Sequence, residues 1–181
     1  MTSSVTPKVP NTPSTDLVIT HAALLEHWQG HRRLTRRVIE AFPEDEFFRF
    51  SIGSMRTFSA MVMEMIGMAA GGIRGLVRRD WDLVDDLIHH SKAPALGTRE
   101  DVLRLWDEAT EQINGLWPQI PPHRFQEIDT AFGQYEGPIY ALFLYWIDNE
   151  VHHRGQGYVY LRALGIDPPP FYERSYTNGK D

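Results

Sequence analysis

GPIYALFLYWIDNEVHHRGQGYVYLRALGIDPPP, residues 137–170, decides how this chain folds. Gly137 and Pro138 open a helix, and Gly165 followed by Pro168, Pro169 and Pro170 stops it. One stripe at spacings of three and four runs Leu142, Trp146, Asn149, His153, Gln156, Tyr160, Leu164. That stripe is apolar at both ends and polar for two turns in the middle. Three more helical patterns lie upstream. The first starts at Thr15 or Asp16, turns Leu24, Trp28, His31, Thr35, Val38 and Phe42 inward, and ends before Pro43. Arg32, Arg33, Arg36 and Arg37 fall mostly beside it and read as a solvated face, with anion binding as the lesser alternative. The second begins at Ser54 and packs Phe58, Met61, Val62, Met65, Ile66, Ala69 and Ile73. The third is capped by Thr98 and carries Val102, Leu105, Trp106, Ala109, Ile113 and Leu116 as far as Pro118. Residues 81–97 read as a crossing connection and 118–136 as irregular. With no convincing strand alternation and no internal repeat, the expected fold is all-α, a four-helix bundle.

The 181 residues, 42% of them hydrophobic, suffice for one core and not for two. Residues 1–14 hold Ser, Thr and three Pro with almost nothing to bury, which predicts a disordered tail ahead of one domain over 15–181. Lys and Arg number 18 against 24 Asp and Glu, so no global basic field gathers phosphate backbones and no nucleic-acid partner is expected. Zero cysteines remove disulfides, thiolate metal sites and cysteine nucleophiles, and they fit a reducing compartment. The N-terminus lacks an apolar signal region, and no uncharged apolar run reaches the roughly 18 residues of a span, so the expectation is cytoplasmic with no membrane.

Glu64 is the single ionisable residue between Arg56 and Arg74, set between Met63 and Met65 in the most apolar stretch of the chain. Such a carboxylate meets a cation, accepts strong hydrogen bonds or holds a proton, unless it lies at the stripe's edge and reaches water. Asn149 and His153, at i and i+4, point the same way and can grip one metal ion or one substrate group. The competing reading is a buried hydrogen-bonded network between helices. His152 and Glu150 lie to either side of that face, and adjacent His152 and His153 point about 100° apart.

SMRTF (54–58), followed by DNEVHHRGQGYVYLRALGIDPPPF (148–171), resembles the DinB/YfiT-like family of four-helix bacterial proteins. The resemblance spans most of residues 17–174. It implies a divalent metal, often zinc or nickel, held by one His of the second helix and a His-x-x-x-His pair of the fourth. Those positions fall here on Glu64, Asn149 and His153, and only His153 keeps the usual ligand type. An O, O, N set of this kind holds zinc less well and is kinder to harder ions such as manganese. His31, Glu150, His152 and Gln156 are the candidates to support the ligands. The resemblance also implies a homodimer.

Two functions follow as expectations. One is a metal-dependent enzyme on a small molecule, a thiol transferase using a low-molecular-weight thiol or a hydrolase, as the resemblance implies. The other is a non-catalytic, stress-related helical bundle with a metal-free polar pocket.

Overall fold

The computed structural model describes residues 18–81 and 97–174. Its elements are α1 (His21–Ala41), α2 (Glu44–Arg49), α3 (Phe58–Arg78), α4 (Arg99–Leu116), β1 (Ile128–Ala131), β2 (Tyr135–Pro138) and α5 (Ile139–Ala163). The protein is thus mostly helical, with α1, α3, α4 and α5 answering to the four expected helices. Their ends differ in part from the sequence reading. The α1 helix begins at His21, where the Thr20 hydroxyl accepts a hydrogen bond from the Ala23 amide at 3.0 Å; Thr15, Asp16 and the expected tail lie outside the described residues. The α3 helix begins at Phe58 with Thr57 as cap, not at Ser54. Thr98 caps α4 as expected, accepting from the Asp101 amide at 3.1 Å.

Two features were not anticipated. Pro43 ends α1 and opens the six-residue α2, which delivers Phe47 to the core. Residues 118–136 are not irregular throughout: β1 and β2 pair antiparallel, from Ile128 opposite Pro138 to Ala131 opposite Tyr135. The turn has left-handed φ at both Phe132 and Gly133, closed by the Gln134 amide on the Ala131 carbonyl, the pattern of a type I′ turn. Buried Arg124 fastens this region to the end of α3 by donating to the Leu76 carbonyl at 3.2 Å and to Glu127 at 2.7 Å. Most of the crossing 81–97 lies outside the described residues.

Both α1 and α3 pack against α4 and α5, while α2 lies on α3. Close approach of α3 and α5 depends on two glycines. A Cβ on Gly157 would sit 2.5 Å from the Phe58 ring, and one on Gly72 would sit 2.6 Å from Trp146. The end of α5 is a Schellman closure: Ile166 N–H returns to the Leu161 carbonyl and Gly165 N–H to that of Arg162, with Gly165 at φ +77°. Among the described helices α3 alone is long and apolar enough to cross a membrane, and 67% of that stretch is buried inside the protein. Its apolarity is accounted for by its place in the core.

Two apolar clusters form the interior. One joins Val38, Phe42, Phe47, Phe58, Met61, Trp106, Tyr160 and Leu161; the other joins Trp28, Ile73, Ile113, Trp117, Phe143 and Trp146. Between them α1 and α5 contribute a belt of buried polar side chains, Arg32, Thr35, Glu150 and Arg154.

Candidate functional site

The packing of α3 against α5 brings Glu64 to Asn149 and His153. The Asn149 amide Nδ2 donates to Glu64 Oε1 at 3.0 Å, and His153 Nε2 lies 3.1 Å from the same oxygen. The three residues singled out in the sequence therefore do meet. A fourth member was missed. Arg56, in the loop before α3, places Nη2 2.5 Å from Glu64 Oε2 and 3.5 Å from His153 Nε2. Its backbone is fixed by the Tyr160 hydroxyl of α5, which donates to the Arg56 carbonyl at 2.9 Å. The clue in the sequence was the need of Glu64 for a cation, with Arg56 as the nearest upstream charge.

These partners settle the state of the carboxyl. Burial works to raise the Glu64 pKa, but hydrogen bonds from His153, Asn149 and Arg56 overcome it and hold the group down at about 2. Glu64 is therefore ionised at neutral pH and carries no proton to give. Its two oxygens face three donors, one of them cationic, so the cluster is closed on itself.

The divalent ion that the resemblance implies does not fit this arrangement. Positive charge opposite Glu64 is supplied by the Arg56 guanidinium. Asn149 turns its donor nitrogen toward the carboxylate, and buried His153 Nδ1 has no hydrogen-bond partner among the described residues to hold the ring as a ligating imidazole is usually held. Nor do three His, Asp or Glu side chains come together as a ligand set among the described residues.

None of the four expected supporting residues is hydrogen-bonded to this cluster among the described residues, and only His152 lies against it, its ring 5.1 Å from that of His153. Glu150 is on the side of α5 that faces α1, only 2% exposed, where it accepts from the Thr35 hydroxyl at 2.6 Å and lies 3.9 Å from Arg32 and 3.8 Å from Arg154. Burial raises its pKa, opposed by Arg32, Thr35 and Arg154. His31 faces the same seam, with Nδ1 3.0 Å from Arg154 Nη2. His152 is exposed and bonded to the half-buried Gln156 at 2.7 Å. These two belong to the surface of α5.

Arg32 corrects the reading of a solvated arginine face. It is 1% exposed, lies over the Trp106 ring at 3.9 Å, and donates to Thr110 Oγ1 at 2.7 Å and the Trp106 carbonyl at 2.9 Å. Burial lowers its pKa to about 10 against the opposing pull of Glu150 and Asp107, and at neutral pH it stays charged. Arg36 meets Asp107 with both Nε and Nη2, at 2.8 and 2.9 Å, and so ties α1 to α4.

Comparison with known proteins agrees with this architecture. A DinB-like protein of Bacillus subtilis has a similar structure, with a TM-score of 0.65 at 18% identity, covering 84% of this chain and 99% of that one. A DinB-like protein of Bacillus cereus gives 0.62 at 15% identity, covering 83% and 97%. No curated protein matches the chain. At these identities the likeness concerns the fold, while the model of the DinB family itself matches residues 12–180, nearly the whole sequence. The chain belongs to the DinB family.

Proposed function

We propose that this chain is a non-catalytic four-helix DinB bundle in which an arginine takes the place of the divalent ion. The observation that carries the reading is the Arg56 guanidinium, 2.5 Å from Glu64 and 3.5 Å from His153. A fixed guanidinium neutralises Glu64 as an ion would, but it opens no coordination position and activates no water or thiol. In this reading the cluster clasps α3 to α5, and the protein works through binding and not turnover.

The metal-dependent reading, a thiol transferase or hydrolase on a small molecule, keeps one observation in its favour. The Arg56 side chain is 49% exposed, so its displacement toward solvent leaves Glu64, Asn149 and His153 convergent.

Calorimetric titration with zinc, nickel and manganese separates the two. Wild type is expected to bind none of them tightly, whereas Arg56→Ala combined with Asn149→His, which removes the cation and restores an imidazole, gains zinc affinity. Sub-micromolar zinc binding by wild type would overturn the proposal and restore the enzyme reading.

We further propose that the protein acts as a homodimer through the outward face of α5. Tyr140, Leu144, Tyr145, Val151 and Val159 are all exposed there.

A further inference from the structure

A second polar place, separate from Glu64, lies across α5, where α1, α5 and the segment 171–174 meet. The chain as a whole is acidic, at net charge -6, yet guanidinium groups accumulate here. Arg33 donates through Nε to the Arg174 carbonyl at 3.0 Å and through Nη2 to Glu26 at 2.5 Å. Arg37 reaches the Glu173 carbonyl at 3.3 Å and its carboxylate at 3.5 Å. Arg32 and Arg154 share Glu150. Arg174 has no carboxylate of its own among the described residues; its Nη1 lies 3.1 Å from His31 Nε2.

His31 cannot satisfy what surrounds it. Arg154 Nη2 approaches its Nδ1 at 3.0 Å, while Arg174 Nη1 and His27 Nε2 approach its Nε2 at 3.1 and 3.3 Å. A neutral imidazole accepts at one nitrogen and donates at the other, so only one of the two guanidiniums finds an acceptor in the ring; Arg154 also donates to the His31 carbonyl at 3.3 Å and to Thr35 Oγ1 at 3.0 Å. Desolvation and the positive charges of Arg154, Arg174 and His27 keep the ring neutral, with its pKa down at about 3.

Independent of that charge excess, one turn beyond Arg154 on α5 stands Tyr158. It is 9% exposed, and its buried hydroxyl has no hydrogen-bond partner among the described residues. The guanidiniums of Arg154, Arg37 and Arg162 lie near enough to act on it electrostatically. An oxygen-bearing anion answers both the buried hydroxyl without an acceptor and the surplus positive charge beside it.

We propose that this seam is a phosphate-binding subsite, in which Arg37, Arg154 and Arg174 with the Tyr158 hydroxyl hold a phosphate dianion, free or carried on a small organic molecule. Arg37 and Arg174 are half-buried, while Arg154 and Tyr158 are buried. The subsite needs neither a metal nor the Glu64 cluster.

Thermal-shift and calorimetric titration of the full chain with inorganic phosphate, against sodium chloride at equal ionic strength, tests the proposal. Phosphate is expected to raise the melting temperature where chloride does not. Tyr158→Phe removes a hydroxyl that has no partner among the described residues, so it should melt like wild type in chloride while binding phosphate about tenfold more weakly. Arg174→Gln should weaken phosphate similarly. Phenyl phosphate binding more tightly than inorganic phosphate would assign the subsite to a phosphate ester; equal or weaker binding would assign it to the free ion. A response to phosphate no greater than to chloride, or phosphate affinity unchanged in Tyr158→Phe, overturns the proposal.

Discussion

Glu64 shows what one carboxylate contributes when its partners are fixed. Its pKa of about 2 in the folded protein stands against an ordinary 4.5. A depressed carboxylate adds stability that is complete above the unfolded pKa and disappears as pH falls through the folded one, so this contribution fades between about pH 4.5 and about pH 2. Because Arg56 is half exposed, screening trims it to about 1–2 kcal/mol. Glu64→Gln should therefore fold, lose about 1–2 kcal/mol at pH 7 in urea melts, and differ from wild type by roughly half as much at pH 3. A gap of the same size at both pH values would count against an ionic role. Glu64 was legible in the sequence because a lone carboxylate in an apolar run demands an explanation, and Asn149 with His153 because i, i+4 pairs share a face. Arg56 was not, since a residue in a loop has no periodicity to place it. The burial of Arg32 and Glu150 in one seam was not legible for another reason: α1 and α5 each touch two long helices and bury a broad face, while a single stripe was traced along each.

At the scale of elements, the four long helices were legible from their apolar spacing, and Thr98 and Gly165 from their chemistry as caps. What escaped was short. Six residues of α2 give less than two turns, and two four-residue strands, the second ending in Gly137 and Pro138, are too short to show an alternation to count. The α3–α5 contact gives a sharper test of packing against propensity. Replacing Gly157 by Ala gains about 1 kcal/mol of helix preference. The new methyl, however, would lie 2.5 Å from the Phe58 ring, which is fully buried, and overpacking of that kind costs about 1–3 kcal/mol. Gly157→Ala is expected to lower the melting temperature by several degrees, because Phe58 is stacked on Phe42 at 4.6 Å and has nowhere to retreat. An unchanged or raised melting temperature would show that α3 and α5 separate more easily than their packing implies.

For the whole molecule, the outward face of α5 and the polar belt inside lead in different directions. If the α5 face is covered by a second copy, light scattering should give roughly twice 20.9 kDa, and Leu144→Glu with Val151→Glu should give monomer. Monomer for wild type at every concentration would remove the dimer. The belt of Arg32, Thr35, Glu150 and Arg154 bears on how the helices find one another. Sliding α1 along α5 by one helical turn, about 5.4 Å, still lets apolar side chains meet apolar side chains, but it strands two guanidiniums and a carboxylate in the interior, a loss of about 3–5 kcal/mol for a broken buried pair. Replacing Arg32 and Arg154 by Met and Glu150 by Leu together should leave the melting temperature equal or higher, while near-ultraviolet dichroism and amide NMR dispersion diminish; undiminished dispersion would deny the belt this part. On this reasoning the apolar clusters supply adhesion and the belt supplies address: grease alone would accept neighbouring alignments, whereas a charge that finds its counterpart at only one height makes the assembly choose a single setting.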